Sequence, residues 1–273
     1  MIKTIHEEDM PQGSDLWLET RKKYGTASEA ASACEVSPWI PKSRLQLWEM
    51  KNGELEVKQN FAMQIGHQHE DEAKEWFQKE VKKLFEPICI IDDETYGLPL
   101  MASLDGREVF GGTEILEIKV PLNGGCSPLW AEMENDEELP IQYQMQMEQQ
   151  MMLTGETFCN FVVYDWKNKR GLHRVHPTNP ELRERILEGW REYFKGKPEP
   201  GPLDIVKRND DDWVAKTNKW KELKALVDKY NKELKETREE LISICGDQSF
   251  QGNGVRCRQN NKTGAWTVGG IKG

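Results

Sequence analysis

The sequence contains no CxxC pair and no apolar run long enough to span a membrane. Its six cysteines are scattered along 273 residues, which argues against a zinc or iron–sulfur framework and predicts reduced thiols in a cytosol. The opening stretch, MIKTIHEEDMPQGSD, lacks the apolar middle of a signal peptide. We therefore expect a cytoplasmic protein that makes no use of a membrane.

Basic residues are outnumbered, with 37 Lys and Arg against 47 Asp and Glu, which gives a net charge of −10. This balance argues against a general nucleic-acid coat, because neutralising phosphates requires clustered cations. The net charge is still compatible with an enzyme whose active site is lined by a few basic residues. With 37% hydrophobic and 31% charged residues, the chain is long enough for one large domain with an appendage.

The most informative stretch is residues 98–121, LPLMASLDGREVFGGTEILEIKVP. It predicts two strands joined by a loop, the first ending at Asp105 and its following glycine, the second covering residues 114–120. Side chains alternate between the two faces of a strand. The face predicted to point into the core is formed by Leu116, Ile118 and Val120.

The opposite face of the second strand carries Glu117 and Lys119 together with Ile115. A hairpin of this kind brings Asp105 beside Glu117, with the lysine one step further along. Two carboxylates and an ammonium group on one face suit a hard divalent cation and a water molecule that it activates.

A long amphipathic helix is predicted over residues 61–84, which contain GHQHEDEAKEWF. A zinc site at His67 and His69 is disfavoured, because side chains two residues apart on a helix do not face each other. Glu70 lies near the apolar face at helical spacing from Ala73 and Phe77. A carboxylate at that boundary needs a partner, and both a metal and a salt bridge fit at this point.

Other elements follow from periodicity and from turn residues. They are a helix broken at Gly25 over residues 14–33, helices 43–50, 141–153 and 180–194, and strands 87–92, 158–166 and 171–176. The acid-rich segment 123–140 is predicted as a loop. The run GKPEPGP closes the compact part, which predicts a domain at 1–204 and an extension at 205–273.

The extension has its own pattern. Seven apolar residues fall at steps of seven, three, four, three, four and seven, and predict a heptad helix of about thirty residues. They are Trp213, Trp220, Leu223, Val227, Tyr230, Leu234 and Leu241. Packing on the domain and packing on another subunit are both open. A hairpin follows at 254–268, with its turn at 260–264. Its cations are Arg256, Arg258 and Lys262, and both a DNA contact and a solvated surface are open.

Asp105 followed by Glu117-Ile118-Lys119 has the form D…ExK and resembles the PD-(D/E)xK nuclease motif. Further landmarks occur in order: WLETRKKYGTASE, VSPW with LQLWEMKNG, GHQHEDEA, and YQMQMEQQMMLTG. Together they are similar to the lambda-exonuclease, or YqaJ-type viral recombinase, family. The resemblance covers roughly residues 14–170.

This resemblance implies an α/β (α+β) fold, with a central mixed sheet flanked by helices, to which the long C-terminal helix and small hairpin are appended. It implies an alkaline-type exonuclease that degrades one strand of linear duplex DNA from a 5′-phosphorylated end, leaving 3′ tails for phage-type recombination by strand annealing. The cofactor would be Mg²⁺, with Mn²⁺ as substitute. The family also implies a homotrimeric ring and a single-strand annealing protein as partner.

The resemblance also assigns roles to residues. Asp105 and Glu117 would bind the metal with help from the Ile118 carbonyl, and Glu70 would be a further acid that holds water or a second metal. Lys119 would orient or deprotonate the attacking water and stabilise the developing charge.

A second group matches the family's terminal-phosphate pocket: Arg21, Ser28, Ser103 and Gln146, with Tyr143 beside them. Met63 matches the wedge that splits the end base pair, while its local sequence favours ordinary packing. Two other functions are weighed against this one: a PD-(D/E)xK endonuclease that cuts internally, and a non-enzymatic assembly protein built on the heptad helix.

Overall fold

A computed structural model describes residues 2–111, 113–260 and 262–270 of the chain. The chain divides into two compact units, Met1–Ile205 and Val206–Gly273; the sequence had suggested a boundary one residue earlier. Across the part described, no helix combines the length and the hydropathy that crossing a bilayer requires.

A mixed sheet forms the centre of the first unit, as the sequence predicted. Its strands are β1 (Lys3–His6), β2 (Gly25–Thr26), β3 (Phe85–Asp92), β4 (Leu100–Glu108), β5 (Ile115–Lys119), β6 (Phe158–Asp165) and β7 (Arg170–Pro177). They run in the order β1-β3-β4-β5-β6-β7, with β2 paired to β4. The β2–β4 and β5–β6 pairs are parallel and the others antiparallel.

Seven α-helices and two short 3-10 helices, Ala27–Glu29 and Gly124–Cys126, accompany this sheet in the part of the chain that the structure describes. The α-helices are α1 (Asp15–Lys23), α2 (Ala30–Ala33), α3 (Arg44–Lys51), α4 (Phe61–Val81), α5 (Pro128–Glu134), α6 (Ile141–Thr154) and α7 (Pro180–Tyr193). The prediction of a loop over 123–140 is wrong where α5 forms. Ser127 caps this helix by accepting a hydrogen bond from Trp130 N, and Pro128 occupies its first position.

Strand β5 is buried on both faces, so the prediction of one core face was incomplete. Leu116 and Ile118 pack with Ala73 and Phe77 of α4. Ile115, on the opposite face, is fully buried in the main core, which also includes residues of α6. Central strands covered on both faces are typical of sheets flanked by helices. The acidic face of β5 therefore lies inside the protein.

The prediction that the first strand ends at Asp105 is also wrong, because β4 continues to Glu108. Gly106 predicted a turn, but it lies inside β4, where the absence of a side chain lets Phe85 and Leu116 pack closely against the strand. A Cβ atom at this position would lie 2.6 Å from Cβ of Phe85 and 3.4 Å from Leu116. Asp105 is thus held within the sheet, next to β5.

The second unit consists of α8 (Asp211–Cys245) and a three-stranded sheet in the order β10-β9-β8. Strands β9 (Val255–Gln259) and β10 (Trp266–Gly270) form the predicted hairpin, and β8 (Phe250–Gly252) is an additional strand. Residue 261 of the predicted turn lies outside the described residues. At the base of that turn, Asn260 N donates to the Ala265 carbonyl at 2.8 Å.

We expect Gly106→Ala to lower the free energy of unfolding by about 1–3 kcal/mol, because the new methyl group overpacks the space beside Phe85. Gly66→Ala is the matched control. It places the same methyl group in open space on α4 and should stabilise the helix by about 0.5–1 kcal/mol. Urea denaturation measures both changes. Equal stability of Gly106→Ala and the wild type would contradict the packing explanation.

Candidate active site

Two carboxylates meet where β4 and β5 run side by side. Oδ2 of Asp105 accepts a hydrogen bond from the backbone N–H of Ile118 at 2.6 Å. Gly106 and Leu116 are paired in the strand register, which places Asp105 next to Glu117. Both acids are almost completely removed from solvent, with 9% and 1% of their surfaces exposed. The structure thus brings together the two acids that the sequence singled out.

Glu117 is held by three donors. Nε2 of Gln146 donates to its Oε1 at 2.6 Å, and Nε2 of Gln150 donates to its Oε2 at 2.6 Å. Lys119 Nζ is in close contact with Oε1. Sequence reasoning did not identify Gln150. The available signal was its position four residues after Gln146, which places both amides on one face of α6.

The acids of this cluster repel one another. Burial raises the pKa of Asp105 well above its usual value, and Glu117 and Glu70 raise it further. Burial also raises the pKa of Glu70, and Glu117 adds to that shift. Glu70 extends from α4, so a third carboxylate joins the pair on the strands. Without further positive charge, the cluster therefore disfavours the ionisation of all three carboxylates at once.

Lys119 is the cation of this cluster. Burial alone would lower its pKa, but Glu117 and Asp105 outweigh burial and raise the pKa above its usual value. Nζ also lies 3.3 Å from Oε1 of Gln146 and 5.5 Å from the centre of the Tyr143 ring. Lys119 is therefore a charged donor at neutral pH, held between an acid, an amide and an aromatic face.

The residue types of the cluster fit a hard cation. Asp105, Glu117 and Glu70 offer only oxygen ligands, and Mg²⁺ or Mn²⁺ would offset the repulsion among them when they are ionised. Within the described ranges, no three His, Cys, Asp or Glu side chains form a ready-made metal cage. Glu117 accepts hydrogen bonds from Lys119 and Gln146 at Oε1 and from Gln150 at Oε2. Because each carboxylate oxygen can accept two bonds, Oε2 keeps a lone pair that a cation could share.

The histidines of α4 have other neighbours. His69 stacks on Trp166 with ring centres 4.8 Å apart, and its Nδ1 lies 3.1 Å from Oε2 of Glu72.

Three residues of the expected phosphate pocket gather around Trp17. Nη2 of Arg21 donates to Oγ of Ser28 at 3.1 Å, and its guanidinium lies 4.4 Å from the centre of the Trp17 ring. The indole N–H of Trp17 donates to Oγ of Ser103 at 2.9 Å. The indole therefore joins α1 to β4. Gln146, the remaining member of the expected pocket, instead contacts Glu117 and Lys119.

A buried ion pair lies beneath Arg21. Oε2 of Glu29 is 2.6 Å from Nζ of Lys51, and its Oε1 is 3.4 Å from Arg21. Lys51 Nζ also donates to the carbonyls of Arg21 and Tyr24, at 2.6 and 2.9 Å. Lys51 thus ties down the end of α1. Two cations, Lys51 and Arg21, therefore face the single carboxylate of Glu29, which leaves a net positive charge at this place.

The two partners titrate unequally. Burial would raise the pKa of Glu29, but Lys51 and Arg21 together lower it below its usual value. Burial lowers the pKa of Lys51, and the attraction of Glu29 does not fully compensate. The difference follows from the neighbours, because Glu29 faces two cations while Lys51 faces one acid and is repelled by Arg21. Neither Glu29 nor Lys51 was identified from the sequence.

Met63 lies in the first turn of α4, which Asn60 caps by accepting a hydrogen bond from Met63 N at 3.0 Å. Its side chain is 46% exposed. An apolar side chain this open is available to a ligand, and core packing does not explain it.

Residues 16–157, more than half of the chain, match the model of the YqaJ-like viral recombinase domain. The chain belongs to this family. The family resemblance drawn from the ordered motifs is thereby confirmed. The matched segment contains both the acid cluster and the residues around Trp17.

The fold is similar to that of an alkaline exonuclease, LHK-Exo from Laribacter hongkongensis. The two chains are 22% identical, with a TM-score of 0.53, and the match covers 67% of this chain and 91% of the other. A structure of LHK-Exo in complex with dAMP gives a TM-score of 0.52 at 23% identity over the same shares. These likenesses establish the fold. A comparison with curated proteins found no match.

We expect Lys51→Met to lower the free energy of unfolding by about 3–5 kcal/mol, because it leaves the buried carboxylate of Glu29 without its nearest cation. The double variant Glu29→Gln/Lys51→Met removes both charges and should recover at least half of that loss. Urea denaturation followed by tryptophan fluorescence measures both. If the double variant is less stable than Lys51→Met, the ion pair is not the source of the loss.

Proposed function

We propose that this protein is a metal-dependent exonuclease that degrades one strand of linear duplex DNA from a 5′-phosphorylated end. The observation that carries the proposal is the cluster of Asp105, Glu117 and Lys119 on adjoining strands, with Glu70 supplied by α4. Membership of a viral recombinase family and a fold like that of an alkaline exonuclease support a nuclease function. The products would be 3′ single-stranded tails, which serve phage-type recombination by strand annealing.

Asp105, Glu117 and Glu70 would hold Mg²⁺, or Mn²⁺ in its place, with the carbonyl of Ile118 as a further oxygen ligand. Bound there, the cations would lower the pKa of a water molecule and offset charge that develops on the phosphate. Lys119 would donate a hydrogen bond to the attacking water or to the phosphate oxygen. Gln146 and Gln150 fix the carboxylate plane of Glu117.

The phosphate at the DNA end would be held by Arg21, Ser28 and Ser103. Arg21 and Ser28 already share a hydrogen bond, and Trp17 orients Arg21 and Ser103 from between them. A planar guanidinium next to hydroxyl groups suits a phosphate monoester, which carries more charge than the diesters inside the strand.

Three parts of the proposal extend beyond the cluster. Gln146 and Tyr143, both beside Lys119, would contact the terminal nucleotide where the pocket meets the acids. Met63 would act as the wedge at the end base pair, as its exposure permits. We also propose, from the family resemblance, that the protein forms a homotrimeric ring and works with a single-strand annealing protein.

Linear duplex DNA with 5′ phosphates should be resected in Mg²⁺, while closed circular duplex should stay intact. Glu117→Gln should abolish resection, because it removes the charge that the metal requires. Gel analysis of both substrates with and without EDTA measures this. Glu188→Gln makes the same exchange on the exposed face of α7 and should leave the rate unchanged. Cutting of the circle would support an internal endonuclease instead, and resection by Glu117→Gln would exclude the proposed centre.

Arg21→Ala tests the end-recognition pocket separately. It should slow digestion of 5′-phosphorylated ends by about 10- to 150-fold, the value of a charge-assisted contact of roughly 1.5–3 kcal/mol, and should leave 5′-hydroxyl ends almost unaffected. Initial rates on the two substrates give the ratio. Lys23→Ala, at the exposed end of the same helix, is the matched control. An equal loss on both substrates would show that Arg21 does not read the phosphate.

A further inference from the structure

Helix α8 is 35 residues long, or about 52 Å, but its contacts with the small sheet cluster towards its C-terminal end. Arg238 donates to the Trp266 carbonyl at 2.6 Å, and Cys245 and Cys257 are buried. Further towards the N-terminus, seven large apolar side chains are 48–69% exposed. They are Trp213, Trp220, Leu223, Leu226, Val227, Tyr230 and Leu234.

The opposite face of α8 is already satisfied by salt bridges between residues four apart. Examples are Lys232 with Glu236 and Lys235 with Glu239, both at 3.9 Å. The large exposed apolar side chains form the apolar stripe of α8, and a helix in a protein gains most of its stability from packing such a stripe against another element. The stripe follows a heptad spacing. An apolar stripe with this spacing is suited to packing against a second helix.

We propose that residues 213–237 of α8 pair antiparallel with the same segment of a second copy of this chain. A two-fold axis at residue 225 places Leu223 against the partner's Val227, and Trp220 against the partner's Tyr230. Every large exposed position of the stripe then lies within the overlap. The part of α8 that holds the small sheet, from Arg238 onward, stays outside it.

The residues flanking the stripe favour this orientation. In the antiparallel pair, Lys219 approaches the partner's Glu233, and Leu226 meets the partner's Leu226 on the axis, which explains an apolar residue at a flanking position. A parallel pair would place Lys219 against the partner's Lys224. The antiparallel pair does bring Lys224 towards the partner's Lys224, but Asp228 lies 2.8 Å from Lys224 within the same helix and offsets that repulsion.

Light scattering on the full-length protein tests the pairing. Leu226→Glu puts two glutamates face to face on the axis, so the wild type should have twice the mass of this variant, whatever assembly the first unit forms. Circular dichroism should show that α8 is retained. Equal masses of the wild type and Leu226→Glu at all concentrations would overturn the pairing. The stripe would then pack against the rest of its own chain or against another protein.

A charge exchange tests the orientation. Lys219→Glu or Glu233→Lys alone should raise the dissociation constant about tenfold, because each turns two attractive contacts into repulsive ones. The double variant Lys219→Glu/Glu233→Lys should restore the wild-type value. Lys221→Glu, the same exchange on the outer face, is the control and should change little. Tighter association of Lys219→Glu would show that the helices run parallel and overturn the antiparallel proposal.

Discussion

A charged carboxylate at the centre of a covered sheet is the constraint on which the rest of this structure depends. Glu117 is 1% exposed, and burying such a group costs several kcal/mol unless charged or polar partners surround it. Lys119, Gln146 and Gln150 supply those partners. This requirement fixes the position of α6 against β5. The core around Glu117 is therefore arranged around a polar centre. The three donors that stabilise the Glu117 carboxylate also hold it in one orientation.

Strand β4 connects that centre to the residues around Trp17. Asp105 and Ser103 lie two residues apart and point to the same side, so they are separated by about 7 Å. The hydroxyl of Ser103 accepts a hydrogen bond from Trp17, and its carbonyl accepts one from Gln150. One residue thus contacts both groups. A shift of β4 would disturb both the acid cluster and the residues around Trp17. Strand β4 therefore couples the acid cluster to Arg21.

Local patterns predicted most of the elements and the approach of Asp105 to Glu117, but few of the contacts that come from other elements. Period-two alternation correctly placed Glu117 and Lys119 on one face of a strand. The turn expected at Gly106 does not form. A glycine that permits a turn and a glycine that permits close packing, here against Phe85, look the same in sequence. Gln150 and the Glu29–Lys51 pair were missed for a different reason. Their partners come from other elements, and only the tertiary arrangement shows that a buried charge has to be matched there.

The two units differ in how completely they satisfy their own surfaces. The first gathers its buried apolar residues in three clusters and balances buried charges such as Glu29 with neighbours from the same chain. The second has too small a sheet to cover a 35-residue helix, so this sheet leaves most of the apolar stripe of α8 uncovered. A chain with a net charge of −10 resists indiscriminate association. An apolar stripe flanked by lysine at one end and glutamate at the other overcomes that resistance only in a specific register, which makes association selective for a matching helix.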